Sequence, residues 1–245
     1  MVNYYGSLCT KMYELLHPQA PQDELEFYLS YANKDQKILE GLCGSGRFFL
    51  PFLQKGYNIS GFDSSKEMLD ELIKKAANAR VYHNTVDTFD IEEKFDYIFI
   101  TSGSVSLFTK DNDCFDLLCK MKDYLTVTGK FVFAVATTAA AEKDTFEFNE
   151  SRSVKTDEGY RLALKLKNYY DKENKIQFSP SLYELYDGEK LLQTEEMDFQ
   201  IRLYDFGELD QQICRAGFKN IIVYKDFKKT IAQDSSSGML LYECW

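Results

Sequence analysis

Ile38-Leu39-Glu40-Gly41-Leu42-Cys43-Gly44-Ser45-Gly46-Arg47-Phe48 decides the fold. The stretch reads as a short apolar strand ending in an acidic residue, then a tight glycine turn, then the start of a helix. Gly44 and Gly46 lack Cβ atoms, so their backbone can take positive φ and lie close to a ligand. The helix that follows aims unpaired N–H groups and a partial positive charge at the turn. A junction of this kind is a cofactor cradle, and the flanking residues discriminate between cofactors.

A dinucleotide fingerprint requires a third small residue three places after the second glycine, so that helix and strand can touch. That place is taken by Phe49, which leaves poor room for a pyrophosphate. Seventeen residues past Gly46, at the end of the apolar run 57–62, stands Asp63. An ionised carboxylate there can accept both hydroxyls of a ribose. Adenosine without pyrophosphate points to S-adenosylmethionine, with S-adenosylhomocysteine as the product.

The chain of 245 residues is long enough for one large α/β domain with an insertion, and its 44% hydrophobic content can fill a sizeable core. A formal charge of −10 argues against a broad nucleic-acid surface, which needs a basic stripe. The six cysteines form no Cys-x-x-Cys pair and no histidine comb accompanies them, so free thiols in a reducing compartment are expected and no metal site is. The N-terminus has neither the basic nor the apolar region of a leader, and no run approaches the ~20 apolar residues of a membrane span. A cytoplasmic protein without membrane contact is expected.

Outward from the glycine turn, strand and helix alternate. Residues 4–32 have helical spacing broken at His17–Pro21, and Tyr4, Tyr5 and Tyr13 either cap a cofactor pocket or pack with their hydroxyls at the surface. This segment is expected across the edge of the sheet. A helix over 47–55 stops at Gly56, strand two runs 58–62, and Ser64 or Ser65 caps a helix reaching Ala77. Met68 then either borders an adenine or fills core. Strand three, 80–84, leads to Asp87-Thr88-Phe89, where Asp87 either accepts from an exocyclic amine or caps a turn. Strand four, 95–100, opens into Thr101–Leu107 at the carboxyl edge, where open α/β sheets bind ligands. A helix over 112–124 and strand five, 130–136, complete a parallel, doubly wound pattern. From 145 to 203 the apolar residues alternate in antiparallel hairpins, with turns at Asp187-Gly188 and 171–174. A helix over 205–216, a strand over 220–224 and a closing edge strand over 238–244 return to the main sheet.

Ile38 to Phe48, Asp63 with 64–69, Asp87–Phe89, 95–100 with Ser102–Ser104, and the closing Ala216–Phe218 with Ser237–Cys244 together resemble the successive motifs of class I S-adenosylmethionine-dependent methyltransferases of small-molecule type, similar to glycine and amino-sugar N-methyltransferases. Gly41 departs from the proline common at that place, which loosens the backbone before the turn without removing a liganding side chain. The resemblance implies a mostly parallel seven-stranded, Rossmann-like sheet with an antiparallel β insertion after strand five. It divides the chain into an N-terminal helical lid (1–34), a cofactor-binding domain (35–144 and 204–245) and the insertion (145–203), which covers substrate or meets another subunit in a homo-oligomer.

The same resemblance places Gly44 and Gly46 at the methionine moiety with Glu40 beside it, Asp63 on the ribose, Ser64 and Met68 at the adenine, Asp87 on its N6, and Thr88 and Phe89 about the ring. Gly103 lies near the sulfonium, and Tyr5, Tyr13, Ser45, Arg47 and Ser102 complete the cofactor set. Transfer to a small-molecule acceptor, nitrogen before oxygen, is expected by in-line SN2 displacement. His17 is a candidate base, while Tyr13, Tyr204 and Arg202 are candidate substrate contacts; His83, on strand three away from the carboxyl edge, is expected to be structural. Two rivals stand beside this reading: an NAD(P)-dependent oxidoreductase, against which Phe49 counts, and a ligand-binding protein of the same fold without turnover. No Asp/Asn-Pro-Pro-Tyr/Phe motif follows strand four, as base methylation in nucleic acid would require.

Overall fold

The computed structural model describes residues 3–245, so the first two residues of the expected lid lie outside it. Its centre is a seven-stranded sheet built from β1 (Lys37–Gly41), β2 (Asn58–Asp63), β3 (Arg80–His83), β4 (Phe95–Ile100), β5 (Leu125–Ala136) and, from the end of the chain, β12 (Ile221–Tyr224) and β13 (Met239–Cys244). The spatial order is β12-β13-β5-β4-β1-β2-β3. Strands β1 to β5 are parallel and β13 runs antiparallel to both its neighbours. The closing strand is therefore not the edge: Met239–Cys244 pairs with Phe131–Ala136 on one side and Ile221–Tyr224 on the other, which leaves β12 outermost.

Strand period two explains the double winding. In β4, Ile98 and Ile100 face one apolar cluster while Tyr97 and Phe99 face the other. The first cluster takes Leu117, Leu118 and Met121 of α5 (Asp111–Tyr124) and Ile213 of α6 (Asp210–Arg215). The second takes Phe27 and Tyr28 of α2 (Gln22–Leu29), Phe52 of α3 (Phe49–Gln54) and Leu69 and Leu72 of α4 (Lys66–Lys75). Ser65 caps α4, its hydroxyl accepting the Met68 N–H at 3.1 Å. Helix α6 starts five residues later than its sequence pattern, because 205–209 is a turn whose Asp205 and Glu208 carboxylates both accept from Lys175, at 2.7 and 2.8 Å.

The insertion is a second, antiparallel sheet: β6 (Thr145–Lys155), β7 (Arg161–Asp171), β8 (Ile176–Phe178), β9 (Ser181–Asp187), β10 (Lys190–Met197) and β11 (Gln200–Arg202). Strands β8 and β9 pair with successive halves of β7, broken at Pro180, where the chain has no N–H to donate. One face of this sheet, through Leu162, Tyr183 and Met197, buries Leu8, Cys9 and Met12 of α1 (Ser7–Leu16). Helix α1 therefore lies on the insertion and not across the main sheet's edge, whereas α2 packs on the main sheet. The expected lid divides at His17–Pro21.

At β2, a Cβ on Gly61 would stand 2.9 Å from Cys43 Sγ and 3.2 Å from the Phe49 ring. Gly61→Ala should cost about 1–3 kcal/mol, seen as a lowered denaturant midpoint, and Cys43→Ala in the same chain should recover part of it. An unchanged midpoint would mean the glycine turn is not packed tightly on β2.

Candidate active site

The floor of the site is the junction of β1, the glycine turn and the end of β2. Asp63 closes β2, and its two carboxylate oxygens accept the Gly44 and Ser65 N–H groups, each at 2.8 Å. The carboxylate thus ties the glycine turn to the start of α4. The two glycines serve different needs. Gly44, at φ +52°, has nothing within 4 Å of a Cβ and faces open space, while Gly46, at φ +85°, has Leu72 2.8 Å from where a Cβ would be. The first leaves room for a ligand and the second lets α4 approach.

Above this floor lies a cavity of about 300 Å³. Gly44, Leu42, Asp63, Ser64 and Met68 line one side, Ser102, Ser104 and Leu107 the opposite side, and Asn3, Tyr5, Tyr13, His17 and Arg47 the rest. Arg47 crosses between the sides, its Nη2 donating to Ser102 Oγ at 2.6 Å, while its guanidinium lies 5.6 Å from the Tyr13 ring centre. The Tyr13 ring in turn packs at 4.9 Å on the His17 ring. The Ser102 N–H donates to Glu24 of α2 at 2.8 Å, which fixes the loop after β4.

The roof is the N-terminal segment, and it is fastened on three sides. Asn3 Nδ2 donates to the Gln200 carbonyl at 2.8 Å and to the Leu107 carbonyl at 3.3 Å, and Asn3 Oδ1 accepts the Gln200 N–H at 2.8 Å. Ser65 Oγ donates to the Tyr5 carbonyl at 2.7 Å, and the Tyr4 hydroxyl donates to Glu67. The Glu195 carboxylate on β10 accepts the Leu8 and Cys9 N–H groups at 2.9 and 3.0 Å, a negative charge on the positive end of α1. The insertion lends the cavity no lining residue of its own among the described residues; it holds the segment that does.

Acid predominates around the turn. Burial raises the carboxyl pKa values of Glu40, Asp63 and Glu24; the Asp63 and Glu24 charges add to the rise at Glu40, and Arg47 opposes it there and at Glu24. Glu40 is 2% exposed and its Oε2 has no hydrogen-bond partner. The buried carboxyls of Glu24 and Glu40 thus share the one guanidinium of Arg47, while the partly exposed Asp63 is held by backbone N–H groups. Partial desolvation of an otherwise exposed ring, with Arg47 and Arg152 nearby, lowers the His17 imidazole from its ordinary range, so the neutral form prevails at pH 7.

Of the residues singled out by sequence, the structure brings Tyr5, Tyr13, His17, Gly44, Arg47, Asp63, Ser64, Met68 and Ser102 together on one cavity. Glu40 and Ser45 lie buried beneath it. Gly103, at φ +70°, turns toward β5 rather than the cavity. Phe89 must be corrected: it is fully buried and stacks on Phe62 at 4.3 Å in the core, while Asp87 and Thr88 are exposed and line nothing in the cavity. The cause is the turn at 84–88, where the Thr88 hydroxyl accepts from Thr85 N and from Asn84 Nδ2, at 3.0 and 3.3 Å, and turns Phe89 inward.

Arg202 and Tyr204 are corrected too. Neither lines the cavity: Arg202 pairs with Asp111 at 2.9 Å and Glu208 at 2.7 Å, joining the insertion to the main sheet, and Tyr204 is 1% exposed in the core beside α5. His83 ends β3 opposite Asp63, at the carboxyl edge, with Nε2 3.0 Å from the Ser64 carbonyl. Ser104 and Leu107 belong to the 101–107 loop expected at the ligand edge, whereas Asn3 and Glu24 were not legible as site residues. Their partners are 78 to 197 residues away, and no local pattern announces such contacts.

Residues 38–129 match the family model described as a methyltransferase domain. No curated protein matches the sequence. Among solved structures, the chain is similar to an S-adenosylmethionine-dependent methyltransferase from Clostridium acetobutylicum (TM-score 0.75, 16% identity, 95% of each chain covered). It is also similar to the sugar N-methyltransferase KedS8 from Streptoalloteichus (0.74, 14% identity, 94% of this chain and 90% of that one). A third is CalS10, an amino pentose methyltransferase from Micromonospora echinaspora, solved with S-adenosylmethionine bound (0.66, 14% identity, 95% and 96%). The three likenesses establish a shared fold over nearly the whole chain.

A buried acid with a raised pKa favours the protonated form on folding, so its destabilising effect grows as pH rises from the unfolded value through the folded one. Glu40→Gln, a neutral isostere, should therefore make the ligand-free protein more stable than the wild type at pH 7–8 by about 1 kcal/mol or more, with the gap closing near pH 4. Melting curves of both proteins across that range check this. A variant less stable at pH 8 would mean Glu40 is charged and satisfied in the fold.

Proposed function

We propose that this chain moves a methyl group from S-adenosylmethionine to the amine nitrogen of a small-molecule acceptor, leaving S-adenosylhomocysteine; the match of residues 38–129 to a methyltransferase domain and the shared fold support this reading. The observation that carries the reading is the charge of the cradle. Glu24, Glu40 and Asp63 outnumber Arg47 around the glycine turn, which suits a ligand bearing a sulfonium and an ammonium. A dinucleotide would bring a pyrophosphate dianion against the same carboxyls, so the oxidoreductase alternative fails on charge as well as on the bulk of Phe49. The open space over Gly44 gives the ligand its backbone approach.

When bound, S-adenosylmethionine supplies an activated methyl group on a good leaving group, and the protein's task is to align the attack. In-line positioning of this kind is worth several kcal/mol, about 7–11 in favourable systems. In our reading Asp63 accepts from the ribose hydroxyls, Met68 and Ser64 border the base, and Glu40 accepts from the ligand's ammonium. Arg47, held by Ser102 Oγ and by the Tyr13 face, bounds the methionine end. The roof of Asn3, Tyr5 and Tyr13 lines the cavity above the glycine turn and bounds the space left for the acceptor. His17, neutral at pH 7 and on the cavity wall, accepts the proton an ammonium acceptor must lose before its nitrogen can attack.

Nitrogen is favoured over oxygen because an amine attacks unaided once it has lost its extra proton whereas a hydroxyl needs a base during the attack itself, and the similar sugar and amino pentose enzymes give amino sugars as the first acceptors to test. The experiment is transfer of labelled methyl from S-adenosylmethionine to amino sugars and to the same sugars with hydroxyl in place of amine. Label on the amines alone is the expected result; label on the hydroxyl series, or on neither, overturns the acceptor assignment.

Two variants test the roles. Asp63→Ala should abolish measurable cofactor binding in a folded chain, and unchanged affinity removes Asp63 from the ribose. His17→Asn should lower kcat by about 10²–10⁴ while leaving cofactor affinity near wild type. With the His17 imidazole lowered from its ordinary range, the wild-type kcat should fall on the acid side of that range and hold level above it; His17→Asn should lose this step. A step retained in the variant assigns the proton to another group.

A further inference from the structure

Helix α2 reaches the end of β4 through two side chains, Glu24 and Tyr28, which share one face a single helical turn apart. The Tyr28 hydroxyl donates to the carbonyl of Ile100, the last residue of β4, at 3.2 Å. Two residues on, Glu24 Oε1 accepts both the N–H of Ser102 at 2.8 Å and the Ser102 hydroxyl at 3.3 Å. The helix is itself fixed, because Phe27 and Tyr28 are buried in the second apolar cluster and the Tyr97 hydroxyl donates to the Tyr28 carbonyl at 3.0 Å. Glu24 is 5% exposed and does not line the cavity.

What Glu24 holds needs holding. Ser102 is exposed and stands at φ +56°, in the left-handed region that a residue with a Cβ seldom takes, and Gly103 follows at +70°. Glu24 is the one acceptor of the Ser102 N–H among the described residues. It also settles the sense of the hydroxyl. A guanidinium can only donate, so Ser102 Oγ accepts from Arg47 Nη2 at 2.6 Å and turns its own proton to Glu24. Arg47 is the only Lys or Arg lining the cavity among the described residues, and its buried Nε has no hydrogen-bond partner. Since the guanidinium is a rigid planar fork, fixing one of its nitrogens at Ser102 fixes the direction of the others, which match a carboxylate.

We propose that Glu24 is a positioning residue: acting through Ser102, it aims the Arg47 fork and so makes the site selective for a nucleoside that carries a carboxylate. The proposal rests on the reading of the cavity as a site for S-adenosylmethionine and places part of its selectivity on α2, outside the cavity lining.

Two nucleosides test this in the full chain: S-adenosylhomocysteine, and methylthioadenosine, which keeps the nucleoside and thioether but lacks the amino-acid end. Glu24→Ala should weaken binding of the first by about tenfold or more and leave the second within about twofold of wild type. Glu24→Gln keeps an oxygen that accepts both Ser102 bonds, so it should bind both nucleosides within about threefold of wild type. Without ligand, the Ser102 amide should exchange about tenfold faster in Glu24→Ala than in wild type or Glu24→Gln. Melting temperatures near wild type establish that the variants fold. Should Glu24→Ala fail to fold, Ser102→Ala replaces it, since loss of the hydroxyl should give the same selective weakening. Equal losses for the two nucleosides, a Gln variant as weak as the Ala variant, or a Ser102 amide indifferent to residue 24 each overturns the proposal alone. A wild type that binds neither nucleoside overturns the reading of the cavity and the proposal with it.

Discussion

The Asp63 carboxylate is the constraint on which the site depends. One side chain accepts the N–H of Gly44 and the N–H of Ser65, so the glycine turn, the end of β2 and the first turn of α4 hold one geometry. Such charge-assisted bonds offset the cost of burying the carboxylate. Its burial beside Glu40, in turn, makes the cradle acidic and leaves Oε2 of Glu40 unsatisfied without ligand. A site built this way trades stability of the empty protein for affinity toward a cation, the usual conflict between fold and function at a binding site.

The second dependence is mechanical. α1 has only ten residues and an apolar face too small to fold on its own. It is held because Leu8, Cys9 and Met12 bury against the insertion and because Glu195 neutralises its N-terminus. Through α1 the insertion positions Tyr13, and Arg202, paired to Asp111 and Glu208, anchors the insertion to the main sheet. The antiparallel sheet is thus a bracket for the roof, and Arg202 is its fastening to the main sheet.

How much of this could be read from the sequence follows the range of the interactions. The doubly wound sheet, the cap at Ser65 and the cradle from Glu40 to Asp63 were legible because strand period, capping and turn chemistry are local. Phe89 was misplaced because hydroxyl bonds around Thr88 decide the direction of the chain after β3, and these compete with any motif reading. The last strand was misplaced because its partner strands, not its own residues, determine whether it is edge or interior. Asn3 and Glu24 were invisible, since a single polar residue carries no sign of a carbonyl or amide far along the chain.

The central claim is that this cradle is built for a cationic sulfonium nucleoside. Titration calorimetry of the wild type with S-adenosylmethionine, S-adenosylhomocysteine and NAD, repeated in buffers of different ionisation enthalpy, tests it most directly. The account predicts one site for the two sulfur nucleosides, none for NAD, and proton release on binding S-adenosylmethionine as the raised carboxyls ionise beside a cation. Binding of NAD, or of no ligand at all, would contradict it, as would binding of S-adenosylmethionine with proton uptake.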